Sequence, residues 1–212
     1  MNPFDIHQGL VAVLDRNNVD TDAIMPKQFM KSIERIGFGQ FVFDEWRYLD
    51  AGELGMDCSQ RSLNSNFELN HPRFNGASIL LSRLNFGCGS SREHAVWGLK
   101  EYGFKVIIAE SFGEIFYDNC LKNGILALTL PLQTINLLIR EVNQNAGYGL
   151  TVNLQCQQVM NVLGDSFAFD IAGKEKTALL NGWDPIDSTL ESQDKIVNYE
   201  HSRESIYPWL YR

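Results

Sequence analysis

The most constraining stretch runs from residue 77 to residue 130. An apolar run at 77–83 passes through a loop of glycines and serines into a helical pattern at 91–102. A β-branched run at 105–109, a second helical pattern at 111–122 and a third apolar run at 125–130 follow. Strand, helix, strand, helix, strand at this spacing predicts parallel pairing with crossover helices. Gly103 and the Asn123-Gly124 pair supply the helix stops, and Pro131 closes the third strand. Open sheets of this kind receive ligands beyond the carboxyl ends of their strands. The Gly/Ser loop falls at such an end.

That loop reads Asn85-Phe86-Gly87-Cys88-Gly89-Ser90-Ser91-Arg92-Glu93-His94. Unpaired backbone N–H groups at a helix start favour anions, and glycine lets the backbone approach a ligand closely. Ser90 and Ser91 add hydroxyls. Arg92 adds a planar, permanently charged fork suited to a carboxylate. The pattern describes an anion site with a proton-transfer group in it. The same letters also spell a capping box, Ser90 answered by Glu93, in which the serine only ends a helix. Ser111 with Glu114 and Ser188 with Glu191 share that spacing and are read as caps. A dinucleotide fingerprint and a Gly-x-Ser-x-Gly elbow both fail, because Arg92 stands where each needs a glycine.

Elsewhere, 10–14 reads as a strand, followed by a polar turn to Asp22. The paired acids Asp20 and Asp22 suit a cation, the orientation of a catalytic group, or a helix cap. Pro26 fits the first turn of a short helix. Residues 41–48 suit a strand or a short helix. Residues 50–76 read as loop with one short element near 66–69, long enough to imply a functional or interface role. Residues 133–143 are expected to be helical, 150–154 and 166–170 to form two strands of a meander, and 174–181 to be a helix ended by Gly182. A last helix follows Pro185, capped by Ser188. The apolar tail at 207–211 is expected to dock. The expectation is one domain over 1–212, with a loop-rich insert at about 50–76 and a helical tail at about 186–212.

A net charge of -8 and a pI near 5.0 argue against nucleic acid as a partner. No secretory signal and no membrane-length apolar run is seen, so a soluble, cytoplasmic protein is expected and no membrane partner. Cys58, Cys88, Cys120 and Cys156 stand far apart, without a Cys-x-x-Cys, which argues against disulfides and against a self-contained zinc or iron–sulfur site. His7, His71, His94 and His201 show no metal spacing, and no metal is assigned to this chain. Only His94 lies near the proposed site.

The loop from Asn85 to Ala95 resembles the signature of the swivelling domain of the aconitase superfamily. Val19-Asp20-Thr21-Asp22-Ala23-Ile24 resembles that domain's opening motif, and Glu110-Ser111-Phe112, Asn119 and Asn123-Gly124-Ile125-Leu126 its next segment. Length and the acidic carboxyl tail narrow the resemblance to the small-subunit family of bacterial isopropylmalate isomerases. It implies an α/β swivelling domain in β/β/α layers with a partly parallel central sheet. It also implies a hydro-lyase of leucine biosynthesis that interconverts 2- and 3-isopropylmalate, small di-acids, by dehydration and rehydration. Such an enzyme works only with a large subunit, which carries the [4Fe–4S] cluster. By position, Ser90 matches the general base, Ser91 and Arg92 the carboxylate-holding groups, and Asp22 an acid beside them. The segment after Pro26 matches a substrate-selecting loop, with Gln28, Phe29, Met30 and Lys31 as candidates. Phe29 or Met30 would touch the isopropyl group, or equally belong to the core. No arginine precedes Arg35 there, which favours a branched apolar substrate over citrate. A homoaconitase-, citraconate- or methylmalate-type dehydratase, or a non-catalytic anion-binding module, remain as alternatives.

Overall fold

The computed structural model describes residues 1–31 and 36–210. The apolar runs become strands, and their order decides where the loops gather. β1 (Ile6–Val13) leads through α1 (Thr21–Ile24) and α2 (Asp44–Arg47) to β2 (Ile79–Leu81). The predicted alternation follows: α3 (His94–Tyr102), β3 (Val106–Ala109), α4 (Glu114–Lys122), β4 (Leu126–Thr129) and α5 (Leu132–Gln144). A meander of β5 (Gly149–Asn153), β6 (Gln158–Met160) and β7 (Ser166–Ala168) comes next. The chain continues through α6 (Gly173–Asn181), α7 (Pro185–Leu190) and α8 (Gln193–Ile206).

The strands form one sheet in the order β4-β3-β2-β1-β5-β6-β7. β1 to β4 pair in parallel, and β5, β6 and β7 join β1 antiparallel. The sheet is thus partly parallel, as expected. Every residue of β2 and β3 is buried, as parallel strands covered on both faces require. β5 alternates buried and half-buried side chains, the mark of a strand with one wetter face. The register sets Val13 beside Leu81 and Leu81 beside Ile108, so the carboxyl ends of β1, β2 and β3 open on one edge.

The insert is fastened by charge. Asp44 is fully buried at the start of α2 and pairs with Arg61, whose side chain is nearly as buried. Arg61 also reaches Asp50 at 3.1 Å and lies 3.8 Å from the Tyr48 ring centroid, and Gly52 donates its N–H to Asp44 at 3.1 Å. Within residues 41–48 the helical part is the short α2, entered through Phe43 in the left-handed region, and Phe41 ends a 3-10 turn, Gly39–Phe41. The insert holds short 3-10 turns at Cys58–Gln60, Glu68–Asn70 and Pro72–Phe74, the middle one near the predicted element.

Several expectations are corrected. Ser111 does not cap α4, whose N-cap is Gly113; the Ser111 hydroxyl instead accepts the Asn85 N–H at 2.9 Å. Ser188 does not cap either. Asp184 starts α7 in a reciprocal capping box with Asp187, and an acidic side chain accepts from the first-turn amides better than a serine already inside the helix. β6 lies between the two predicted meander strands, in a three-residue run too short to show a period. The tail does not dock: α8 buries no residue, and Tyr207, Trp209 and Leu210 are exposed. None of the apolar residues Ile196, Val197, Tyr199 and Ile206 of α8 is buried against the rest of the described chain. Tyr211 lies outside the described residues.

Removing one partner of a buried ion pair leaves the other desolvated and alone, at a cost of about 3–5 kcal/mol. Arg61→Met is expected to lower unfolding stability by about that amount, read from urea denaturation. A change under about 1 kcal/mol would mean that the pair contributes no more than an exposed one.

Candidate functional site

The loop after β2 and the loop after β1 close on each other. Gly87 donates its N–H to the Val19 carbonyl at 2.7 Å, and Thr21 donates its own to the Cys88 carbonyl at 2.9 Å. Asp20 and Cys88 form an isolated parallel bridge. Behind them, Phe86 bridges Phe112 in the loop after β3. Gly87 has a φ of 73°, and a Cβ there would strike the Phe116 ring, so glycine is required on both counts. Asn18 and Asn85 also adopt positive φ and join side chain to side chain at 2.8 Å.

The capping box does not form. α3 begins at His94, its N-cap is Glu93, and no side chain caps it. Glu93 accepts instead from the Asn123 side chain at 2.8 Å, at the far end of α4. The Ser90 N–H goes to the Thr21 hydroxyl at 3.0 Å. Among the described residues, the N–H groups of Ser91, Arg92 and Glu93 reach no acceptor, and the Ser90 hydroxyl makes no hydrogen bond. Successive unpaired amides ahead of a helix start form an anion-binding concavity.

Arg92 pairs with Asp22, the second residue of α1. Both are partly open, with side-chain exposures of 22% and 46%, so solvent screens the pair and its worth lies in orientation. Ser90 is half-buried and Ser91 exposed. Among the described residues, all four are at least partly exposed to solvent.

His94 packs its ring between Phe38 and Trp97, at 5.3 and 4.7 Å between centroids. Burial lowers its pKa; Glu93 opposes this and Arg92 adds to it. Burial, then the Asp20 charge, pushes the Cys88 thiol up. Cys120 is buried and its thiol is held well above the usual range by desolvation; Cys58 is also buried, while Cys156 is exposed.

The aconitase C-terminal domain profile matches residues 1–133. The chain is 53% identical to the 3-isopropylmalate dehydratase small subunit of Delftia acidovorans over 210 residues, 99% of this chain and 97% of that one. It is 54% identical to that of Marinobacter nauticus over 211 residues, 100% and 98% of the two chains. The chain belongs to the 3-isopropylmalate dehydratase small-subunit family. A crystal structure of a 3-isopropylmalate dehydratase from Methanocaldococcus jannaschii has the same fold, with a TM-score of 0.61 at 21% identity over 92% of this chain and 99% of that one.

Within this dehydratase family, the residues named from sequence divide into two groups. Ser90, Ser91, Arg92 and Asp22 come together. Phe29 does not join them. It is fully buried and stacks on Phe41 with centroids 4.1 Å apart, so it belongs to the core and cannot meet a substrate without leaving it. Met30 packs partly buried against the same core. Lys31 is exposed at the end of a 3-10 turn, Lys27–Lys31, and Arg35 lies outside the described residues. Asp20 is a helix cap, accepting the Ala23 N–H at 2.6 Å. Thr21, Asn18 and Asn123 do not stand out as site residues in the sequence. A signal is present in the motifs around them, but their contacts span 30 to 70 residues of chain.

Two measurements test these electrostatics. The His94 pKa lies below the ordinary 6.5, so its contribution to stability is complete above that value and declines as pH falls through the folded pKa. An NMR titration is expected to show the ring neutral at pH 7, and a midpoint above 6.5 would contradict it. Thiol labelling of the native protein at pH 7 should modify Cys156 first and Cys88 slowly, with Cys58 and Cys120 reacting only on unfolding. Rapid modification of Cys88 would overturn its assignment as a protonated thiol.

Proposed function

We propose that this chain is the small subunit of a 3-isopropylmalate dehydratase, a hydro-lyase active only when a large subunit covers the open site. The observation that carries the reading is the cluster of Ser90, unpaired amides at 91–93 and the Arg92–Asp22 pair on the carboxyl edge of the parallel strands.

Dehydration of a hydroxy di-acid removes a proton from the carbon next to a carboxylate and expels a hydroxyl. Ser90, as the alkoxide left once its own proton has passed to solvent, takes that proton and returns to the neutral hydroxyl. A serine hydroxyl is a poor base at pH 7, because its oxyanion is unstable in water. Positive potential at the oxygen makes proton transfer feasible, and the unpaired amides and the guanidinium supply it. Arg92 and Ser91 hold the carboxylate beside the reacting carbon. Negative charge grows on that carboxylate as the proton leaves, so Arg92 stabilises the transition state more than the bound substrate. Asp22 keeps the guanidinium turned to one side, leaving donors of the fork for the substrate.

The four cysteines do not fit an iron–sulfur cluster. They lie on separate elements, and two are buried in the core. In this reading the [4Fe–4S] cluster belongs to the large subunit, and the residues of this chain only move the proton and hold the carboxylate. The exposure of Ser91 and the partial exposure of Asp22 fit a site completed by that second chain.

With the large subunit reconstituted, Ser90→Ala is expected to lower kcat at least about 100-fold while assembly is unchanged. Arg92→Lys should raise KM and lower kcat together, because a point charge replaces a two-point fork. Turnover of Ser90→Ala near the wild-type rate would exclude Ser90 as the base. The chain purified alone is expected to be colourless, free of iron and inactive; stoichiometric iron and sulfide on it would overturn the division of labour.

A further inference from the structure

Thr21 is 1% exposed and opens α1, one residue before Asp22. Its hydroxyl oxygen does two things at one residue. It accepts the Ser90 N–H at 3.0 Å and donates its own hydrogen to the Ser90 carbonyl at 3.2 Å. The N–H belongs to the peptide joining Gly89 to Ser90, and the carbonyl to the peptide joining Ser90 to Ser91. One oxygen therefore holds both peptide planes that meet at the Ser90 Cα. Fixing those planes fixes the Cα–Cβ direction and leaves the Ser90 side chain only its χ1 rotation.

The surroundings make this arrangement specific. Thr21 also donates its backbone N–H to the Cys88 carbonyl at 2.9 Å, so its own position is tied to the same loop. Gly89, with a φ of 95°, turns the loop so that a Cβ there would sit 3.5 Å from the Thr21 hydroxyl. Neither Ser90 nor Glu93 caps α3 through its side chain, so local helix geometry does not orient Ser90. The restraint comes across 69 residues of chain, from α1.

We infer that Thr21 is a positioning residue for Ser90, a partner to Asp22, which holds Arg92 from the adjacent position. Two neighbouring residues of α1 thus set the proton-transfer hydroxyl and the carboxylate fork relative to each other. The inference rests on the proposed role of Ser90 and adds to it a residue that touches no substrate.

The experiment uses the reconstituted complex with Thr21→Val, Thr21→Ala and Thr21→Ser, beside Ser90→Ala as reference. Valine keeps the shape of threonine and loses both hydrogen bonds; serine keeps the bonds and loses the methyl. Thr21→Val is expected to lower kcat roughly 10–100-fold, since small misplacements of a reacting group cost about that much, with KM changed less than about 2-fold. Thr21→Ser should restore most of the rate. Should the valine variant fail to assemble, Thr21→Ala carries the same expectation. Wild-type kcat in the valine or alanine variant, with Ser90→Ala inactive, would sink the positioning role and leave the Ser90 assignment standing. Equal losses in the valine and serine variants would also sink it, because packing of the methyl would then explain both. Full activity in Ser90→Ala would instead remove the reading on which the inference depends.

Discussion

The parallel ladder between β1 and β2 is the contact on which the chemistry depends. Val13 lies beside Leu81, so the two strands end together and their following loops leave the sheet at one place. Were the pairing antiparallel, the loop bearing Asp22 and the loop bearing Arg92 would emerge at opposite edges. The pairing is stabilised by burial on both faces, since every residue of β2 and the last three of β1 are buried. The hydrophobic core thus does more than stabilise the fold. It brings together groups that lie about 70 residues apart in the chain.

Upon that frame, polar contacts refine position. Backbone bonds from Gly87 to Val19 and from Thr21 to Cys88 close the two loops, and the Asn18–Asn85 pair holds two left-handed residues against each other. Strained backbone of this kind persists only where its surroundings over-determine it, and such places concentrate at functional sites. The later start of α3 has the same logic. Beginning the helix at His94 leaves three amides without acceptors among the described residues, a cost that the carboxylate of the proposed substrate would offset. Glu93, the would-be answering half of a cap, is tied instead to Asn123 at the end of α4.

The site suits a surface shared with another chain. Its residues are partly exposed, whereas proton abstraction next to a carboxylate gains from a site closed to water. In the proposed complex, a large subunit seated on this edge supplies that closure. The buried Asp44–Arg61 pair, by contrast, serves the fold: it anchors the 50–76 insert to α2 through a charge that desolvation would otherwise penalise.

The order of strands and helices over 77–130 was legible because hydrophobic period and Gly/Pro punctuation are local properties. Ser90, Ser91, Arg92 and Asp22 came from two short motifs and the family resemblance they carry, and folding brings the four together. Local reading misplaced whatever depends on a distant partner. Ser90, Ser111 and Ser188 all carry cap spacing, yet a hydroxyl bonds whichever group folding brings near, and none of the three caps its helix. Phe29 looked as suitable for an apolar substrate as for the core, and only the Phe41 ring against it decides the matter. Sequence by itself determined which residue types the loop carries, and with them the chemistry proposed for it. Tertiary structure alone decided that Thr21 and Asp22 hold Ser90 and Arg92, because hydrogen bonds act within about 3 Å and no spacing along the chain reports which distant atoms meet at that range.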